Sequence, residues 1–415
     1  MTILASLCEL IIDCEHKTAP TVENGYPLIR TPDIGIGRLH IEGASRVDEA
    51  TYEQWTKRAA PREGDLILAR EAPVGNIGIV KSGVRPVLGQ RTVLIRPKTD
   101  ILDAGYLNYL LSSPPLRGWM IGVANGATVP HLNMSDIRSM EIPVMPSIDT
   151  QRKIASVLTD YDDLIENNNR RIKLLEEMAQ RVYREWFVHF RYPGHESVPL
   201  VDSELGSIPE GWTACSLSDL VSTQYGYTES ATSKPIGPRF LRGMDINKTS
   251  YVDWSRVPYC PIAASDLDRY RLVRGDVLVI RMADPGKVGI VEQDVNAVFA
   301  SYLIRVRPVD ARIDPYVLFY FMSSDQYQSF VSGASTGTTR KSLSASLITS
   351  ISTALPPSEL QQLFVSQVAP LRGLVTGLVS ANTTLRNSRD LLLPRLISGE
   401  IDVTDLDIAI PEAAA

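Results

Sequence analysis

Residues 63–80 read EGDLILAREAPVGNIGIV, and residues 274–291 read RGDVLVIRMADPGKVGIV. Eight of these 18 positions are identical at an offset of 211: Gly64/Gly275, Asp65/Asp276, Arg70/Arg281, Ala72/Ala283, Gly75/Gly286, Gly78/Gly289, Ile79/Ile290 and Val80/Val291. The same offset runs on without a gap. It pairs Arg96-Pro97 with Arg307-Pro308, Ser112-Ser113 with Ser323-Ser324, and Gly126 and Thr128 with Gly337 and Thr339. Leu132, Ile137, Pro146 and Gln151 then meet Leu343, Ile348, Pro357 and Gln362. One register held over about 90 residues marks a tandem duplication of a unit about 210 residues long, too long for a solenoid repeat.

Each copy opens as mixed α/β. DLILAR and DVLVIR are short apolar runs, followed by proline–glycine turn chemistry and a second run, IGIV or VGIV. Asp284-Pro285-Gly286-Lys287 has the residue order of a type II turn. Gly75 and Gly286 read first as hairpin glycines; a phosphate-binding backbone is the sharper alternative. Arg70 and Arg281, matched between copies, are expected to form a structural ion pair in each, because residues reading different sequences should differ.

Each copy closes with a long helix. Apolar positions step by four and three through Ile154, Leu158, Tyr161, Ile165, Asn168, Ile172, Leu175, Ala179, Val182 and Trp186, a heptad seam over more than four heptads. Ser147 or Asp149 caps it, and Pro193-Gly194 stops it. The second copy repeats the spacing with Phe364, Val368, Leu371, Val375, Leu378, Asn382, Leu385, Arg389, Leu392 and Leu396. Pro370, Gly373 and Gly377 lie inside that helix and predict a kink or a frayed first half. An offset of 210 aligns the two seams, whereas 213 aligns Asn169 and Ile172 with Asn382 and Leu385. A helix of about 38 residues spans about 57 Å. If the seams pair antiparallel, the globular units sit at opposite ends of one rod, related by a pseudo-twofold axis. Asn168 and Asn382, polar in apolar seams, either select register or reach solvent. The expected fold is therefore α+β: two duplicated mixed α/β domains at 1–147 and 206–356, separated by two long helices pairing as an antiparallel coiled coil, the first with its linker at 148–205 and the second with its tail at 357–415.

The 415 residues are 44% apolar and 22% charged, an ordinary globular mix with material for two to four domains. Disorder, collagen and a disulfide scaffold are excluded. The N-terminal stretch lacks a basic region and soon meets Glu9 and Asp13, so it reads poorly as a signal peptide. No run of about 18 apolar residues predicts a membrane helix. Four cysteines in this length fit a reducing cytoplasm. The net charge is −6, but residues 1–146, 147–204, 205–355 and 356–415 carry −1, −3, +1 and −3, leaving room for a local basic face on each domain.

Catalytic motifs are hard to find. There is no Walker A sequence, and Gly35-Ile36-Gly37 lacks the third glycine of a dinucleotide loop. Asp13, Glu15 and Lys17 resemble a nuclease set only superficially, and Cys8, Cys14 and His16 lack a fourth metal ligand. What the sequence offers instead is polar and aromatic side chains on loops at matching places. In the first copy these are Lys17, Arg30, Arg38, Asn76, Gln90, Arg91, Thr128 and His131. In the second they are Tyr225, Tyr227, Lys234, Arg239, Arg242, Arg269, Arg271, Lys287, Tyr302, Arg340 and Lys341. These types contact phosphates and base edges, although any one of them alone reads as a solvated surface charge.

The combination resembles the specificity (S) subunit of type I restriction–modification systems over essentially the whole chain. The stretches that carry the resemblance are IIDCEHKT (11–18), GYPLIRTPDI (25–34), the two GD-strand-R-turn-G repeats, GATVPHLNMSDI (126–137) and GTTRKSLSASLI (337–348). REWFVHF (184–190), IPEGW (208–212) and LLLPRLISGEIDV (391–403) fit as well. The resemblance implies a non-catalytic subunit whose two target recognition domains each read half of an interrupted double-stranded DNA target. It implies helices that set the spacing and hold two methyltransferase (M) subunits carrying S-adenosylmethionine. It also implies restriction (R) subunits bringing ATP and Mg²⁺, with no cofactor on this chain and no membrane. Two other classes stand against it: a coiled-coil adaptor that binds only protein, and a DNA methyltransferase or nuclease with fused recognition domains.

Overall fold

The computed structural model describes residues 2–126, 129–334 and 342–410. The chain divides into two compact units, residues 1–165 with 385–415, and residues 166–384. Both boundaries fall inside the long helices.

In the first unit a five-stranded sheet runs in the order Cys8–Asp13, Thr92–Pro97, Leu66–Ala69, Ile77–Ile79, Ile36–Arg38. All neighbours are antiparallel except the last pair. The LILA of the repeat is its central strand, and Leu66, Ile67, Leu68 and Ala69 are all fully buried. An unbroken apolar run is what a strand covered on both faces requires. The second unit repeats the arrangement with four strands, Val221–Tyr225, Leu303–Pro308, Val277–Ile280 and Val288–Ile290. Helices Ala104–Ser112 and Pro114–Val123 follow the first sheet, and Pro315–Met322 and Asp325–Ala334 the second.

The ion pair matched between copies is not made by the repeat's Arg70 and Arg281. Arg70 donates from Nε to the Leu132 carbonyl at 2.7 Å, and the Arg281 guanidinium lies over the Tyr225 ring at 4.7 Å. The matched pairs are Asp65–Arg96 at 2.7 Å and Asp276–Arg307, whose aspartates are 1% and 0% exposed. Each aspartate also accepts a backbone N–H from the preceding turn, Arg62 or Val273, at 2.9 Å. The buried carboxylate thus has several partners, as burial of a charge demands. The matched arginines of the strand end meet a neighbouring carbonyl or ring instead.

The turn after the central strand needs its glycine. Gly286 has φ +97°, the left-handed value of the third residue in a type II turn, and an added Cβ would lie 2.9 Å from Val331 Cγ1. Gly75 has φ +78°. The hairpin reading therefore accounts for both.

The first long helix is Ile148–Tyr183, capped by Ser147 Oγ, which accepts from Thr150 N at 3.3 Å. It passes into a π-helical turn, Arg184–Val188. The second is Ser358–Ile397. They pair antiparallel within each unit. In the first, Ile154 and Leu158 share a core with Leu393 and Leu396, and Asp162 pairs with Arg389. In the second, Ala179 and Tyr183 share one with Phe364 and Val368. Ile165, Ile172 and Val375 are buried; Tyr161, Leu175, Val182, Leu371, Leu378 and Leu385 are half-buried. Asn168 Nδ2 donates to Asn382 Oδ1, and Asn382 Nδ2 to Asn169 Oδ1, each at 2.9 Å. The two buried seam amides bond each other, and the exposed Asn169 takes the remaining Asn382 donor, which favours register selection over solvent exposure.

Two expectations about the second helix need correction. It is helical without interruption from residue 358 to residue 397, with no frayed half. Pro370, Gly373 and Gly377 lie on its exposed face, where a Cβ at either glycine would meet nothing within 4 Å. Burial of Phe364, Val368 and Val375 on the opposite face outweighs the weak local propensity. Its register is also settled. Gln361, not Gln362, is the counterpart of Gln151. Gln151 accepts from Asp103 N and donates to the Ile101 and Pro146 carbonyls; Gln361 accepts from Asp314 N and donates to Arg312 and Pro356. The offset therefore falls from 211 to 210 before the helix, as the seams require. An 18-residue window of this helix reaches mean hydropathy 1.3, long and apolar enough to cross a bilayer. Its apolar stripe packs on protein, and Arg372 sits within it.

Candidate nucleic-acid interface

A common backbone frame forms the loop end of each sheet. Arg70 N donates to Arg91 O at 2.9 Å, and Arg281 N to Tyr302 O at 2.9 Å. Leu132 N donates to Arg70 O at 3.0 Å, and Leu343 N to Arg281 O at 2.9 Å. Gly75 and Gly286 close the turns on the carbonyls of Ala69 and Ile280, and bridges join Glu71 to His131 and Met282 to Ser342. Four positions in and beside the frame are identical at the 211 offset: Arg70/Arg281, Ala72/Ala283, Gly75/Gly286 and Leu132/Leu343. The side chains at its rim are not: Glu71/Met282, Asn76/Lys287, Gln90/Ser301, Arg91/Tyr302 and His131/Ser342.

In the first unit the frame brings together four of the candidates. Arg91, held at φ +66°, pairs with Glu71 at 2.9 Å while its side chain stays 56% exposed. Gln90 Nε2 reaches Thr18 Oγ1 at 3.3 Å, beside the exposed Lys17, and His131 exchanges backbone hydrogen bonds with Asn125. Asn76, Arg30 and Arg38 lie elsewhere on the unit. Asn76 donates to the Ile34 carbonyl at 2.8 Å and accepts from Arg117. Arg30 is held by Asp33, and Arg38 is half-buried on the edge strand. Asp13 accepts from His16 and Arg58; burial raises its pKa, and these hydrogen bonds more than offset that, leaving it below the usual range.

In the second unit Tyr302 is 53% exposed at the rim. With Phe240, Arg242, Met244, Ile280 and Met282 it lines an open groove of about 380 Å³. Met244, 71% exposed, was not singled out from the sequence. Tyr225 is exposed, accepts from Ala345 N at 2.9 Å and carries Arg281 on its ring. Lys234, Arg269 and Lys287 are exposed. Four candidates are engaged elsewhere: Arg239 lies over Tyr259 and donates to Val257 O, Arg242 pairs with Asp245 at 2.8 Å, Arg271 with Asp268 at 3.2 Å, and Tyr227 packs on Tyr270. Thr128, Arg340 and Lys341 lie outside the described residues.

One residue that spacing did not flag is Arg372. It is 1% exposed on the second long helix and binds Glu292 at 2.6 Å, with further bonds to Ser250 Oγ and the Ser250 carbonyl. Burial lowers its pKa, and the Glu292 hydrogen bond and charge overcome this and raise it. Among the described residues no three His, Cys, Asp or Glu side chains cluster as a metal would need.

Residues 17–177 match the family described as Type I restriction modification DNA specificity domain. The chain is 26% identical over 378 residues to the type I restriction enzyme MjaIX specificity subunit of Methanocaldococcus jannaschii, covering 88% of this chain and 83% of that one. It is 22% identical over 444 residues to the HindI specificity subunit of Haemophilus influenzae, covering 91% and 95%. The type I restriction–modification S subunit from M. genitalium shares the fold, with TM-score 0.57, 15% identity and 95% of each chain covered. Residues 17–177 thus carry a type I restriction modification DNA specificity domain, and over most of its length the chain is similar to type I specificity subunits.

Proposed function

We propose that each unit reads one half of an interrupted DNA target, and that the paired helices set the spacing and dock methyltransferase subunits. The chain itself does no chemistry. S-adenosylmethionine, ATP and Mg²⁺ belong to M and R subunits, and the complex works in the cytoplasm, consistent with four free cysteines. The observation that carries this reading is the shared frame with divergent rim residues. A duplicated reader of two different sequences needs one scaffold and two side-chain sets; a protein-only adaptor has no such need. Near-neutral units fit when phosphate contacts are shared with partner subunits.

The test is reconstitution with the M subunits and mapping of methylated adenines, with the chain alone as control. The expected result is methylation at one interrupted asymmetric motif by the complex and none by the chain alone. Methyl transfer by the isolated chain, or no sequence preference in the complex, would overturn the reading.

A further inference from the structure

The two rims differ in kind as well as in identity. In the first unit the frame presents a charge pair, Glu71–Arg91, with His131 beside it. In the second the same backbone positions hold Met282 and Tyr302, with Ser342 at the bridge. Here the rim continues into the groove lined by Phe240, Met244 and Ile280. Arg242, the cation in its wall, is tied to Asp245 by two side-chain hydrogen bonds of 2.8 and 3.1 Å. Glu229 and Asp284 also line the groove, but its exposed apolar surface is carried by Met244, 71% exposed, and by Tyr302, 53% exposed, the latter at the position where the other unit places Arg91.

In the major groove, guanine offers acceptors to arginine and cytosine an amino donor to a carboxylate. Thymine alone offers a methyl group, which apolar side chains contact. Resting on the function proposed above, we infer that the two half-targets are read by different chemistry. The second unit seats thymine methyl groups against Met244, Met282 and Tyr302. The first reads a G·C edge through Arg91 and Glu71. Glu71/Met282 and Arg91/Tyr302 are then specificity-determining pairs at one structural position. The scaffold aligns them, so exchanging them exchanges base preference.

The experiment uses the chain in complex with its M subunits and the motif found by methylation mapping. The double variant Met282→Glu, Tyr302→Arg first identifies the half-target of the second unit as the half that changes. Oligonucleotides carrying uracil in place of thymine are then bound to the wild-type complex. At about 0.8 kcal/mol per lost methyl, each contacted thymine weakens binding roughly fourfold. This is expected in the second unit's half alone, and Met244→Ser should abolish part of that sensitivity. The variant Tyr302→Phe, which keeps the ring, should retain it. Uracil-insensitive binding in that half, a half without thymine, or a double variant with an unchanged motif overturns the inference while leaving two-part recognition standing. A wild-type complex without sequence-specific binding overturns both.

Discussion

Arg372→Met should strongly destabilise the second unit. The guanidinium is 1% exposed and its partner Glu292 8% exposed. Methionine restores most of the volume but leaves a carboxylate in the interior without its cation. Removing one member of such a pair costs about 3–5 kcal/mol. Ser250 also loses the donors that held its hydroxyl and carbonyl. Against a total of about 5–15 kcal/mol for an ordinary domain, the loss is a large fraction. Replacing both partners, Arg372→Met with Glu292→Gln, removes the stranded charge and should recover most of it. The assay is urea denaturation followed by tryptophan fluorescence, with hydrogen–deuterium exchange to locate the loss in residues 166–384. A single-variant loss below about 1 kcal/mol, or a double variant no better than the single, would refute the claim that this pair ties helix to domain.

Asn382→Leu leaves the buried Asn168 amide without its partner in the seam and should cost about 1–3 kcal/mol, read from the same urea curves. Gly373→Ala and Gly377→Ala should each stabilise by roughly 1 kcal/mol, because an added Cβ meets nothing; destabilisation would mean the exposed face is misplaced. Removing one heptad from each long helix in register shortens each by about 10 Å, roughly 3 base pairs of DNA, and methylation mapping should show the shorter gap. An active complex with an unchanged gap would refute the ruler role.

The duplication, the apolar strands, the turn glycines and the helical seams were legible because each depends on local spacing. Side-chain partnership was less so. Asp65 and Arg96 were both visible as repeat matches, but nothing in a 31-residue separation says they meet across neighbouring strands. Arg70 and Arg281, equally matched, sit where the chain leaves the sheet and find a carbonyl and a ring. Arg239, Arg242 and Asn76 stood among the candidate DNA contacts, and their carbonyl, ring and carboxylate partners were not readable from spacing. Gln151 was paired one residue out of register, since the single-residue deletion shows only in the carbonyls its counterpart clamps. Arg372 lies amid Pro370 and Gly373, in a stretch that reads as a weak helix. Its burial depends on Glu292, 80 residues away. The rim, by contrast, could have been found: positions 71/282, 91/302 and 131/342 stand out as divergent points inside a conserved repeat.

The central claim is that recognition is divided between two separable units. Replacing residues 206–355 with the equivalent domain of a related specificity subunit, reconstituting with M subunits and mapping methylated adenines tests it most directly. The account predicts a motif in which one half changes to that of the donor and the other half stays as it was. A motif in which both halves change, or neither does, would contradict it.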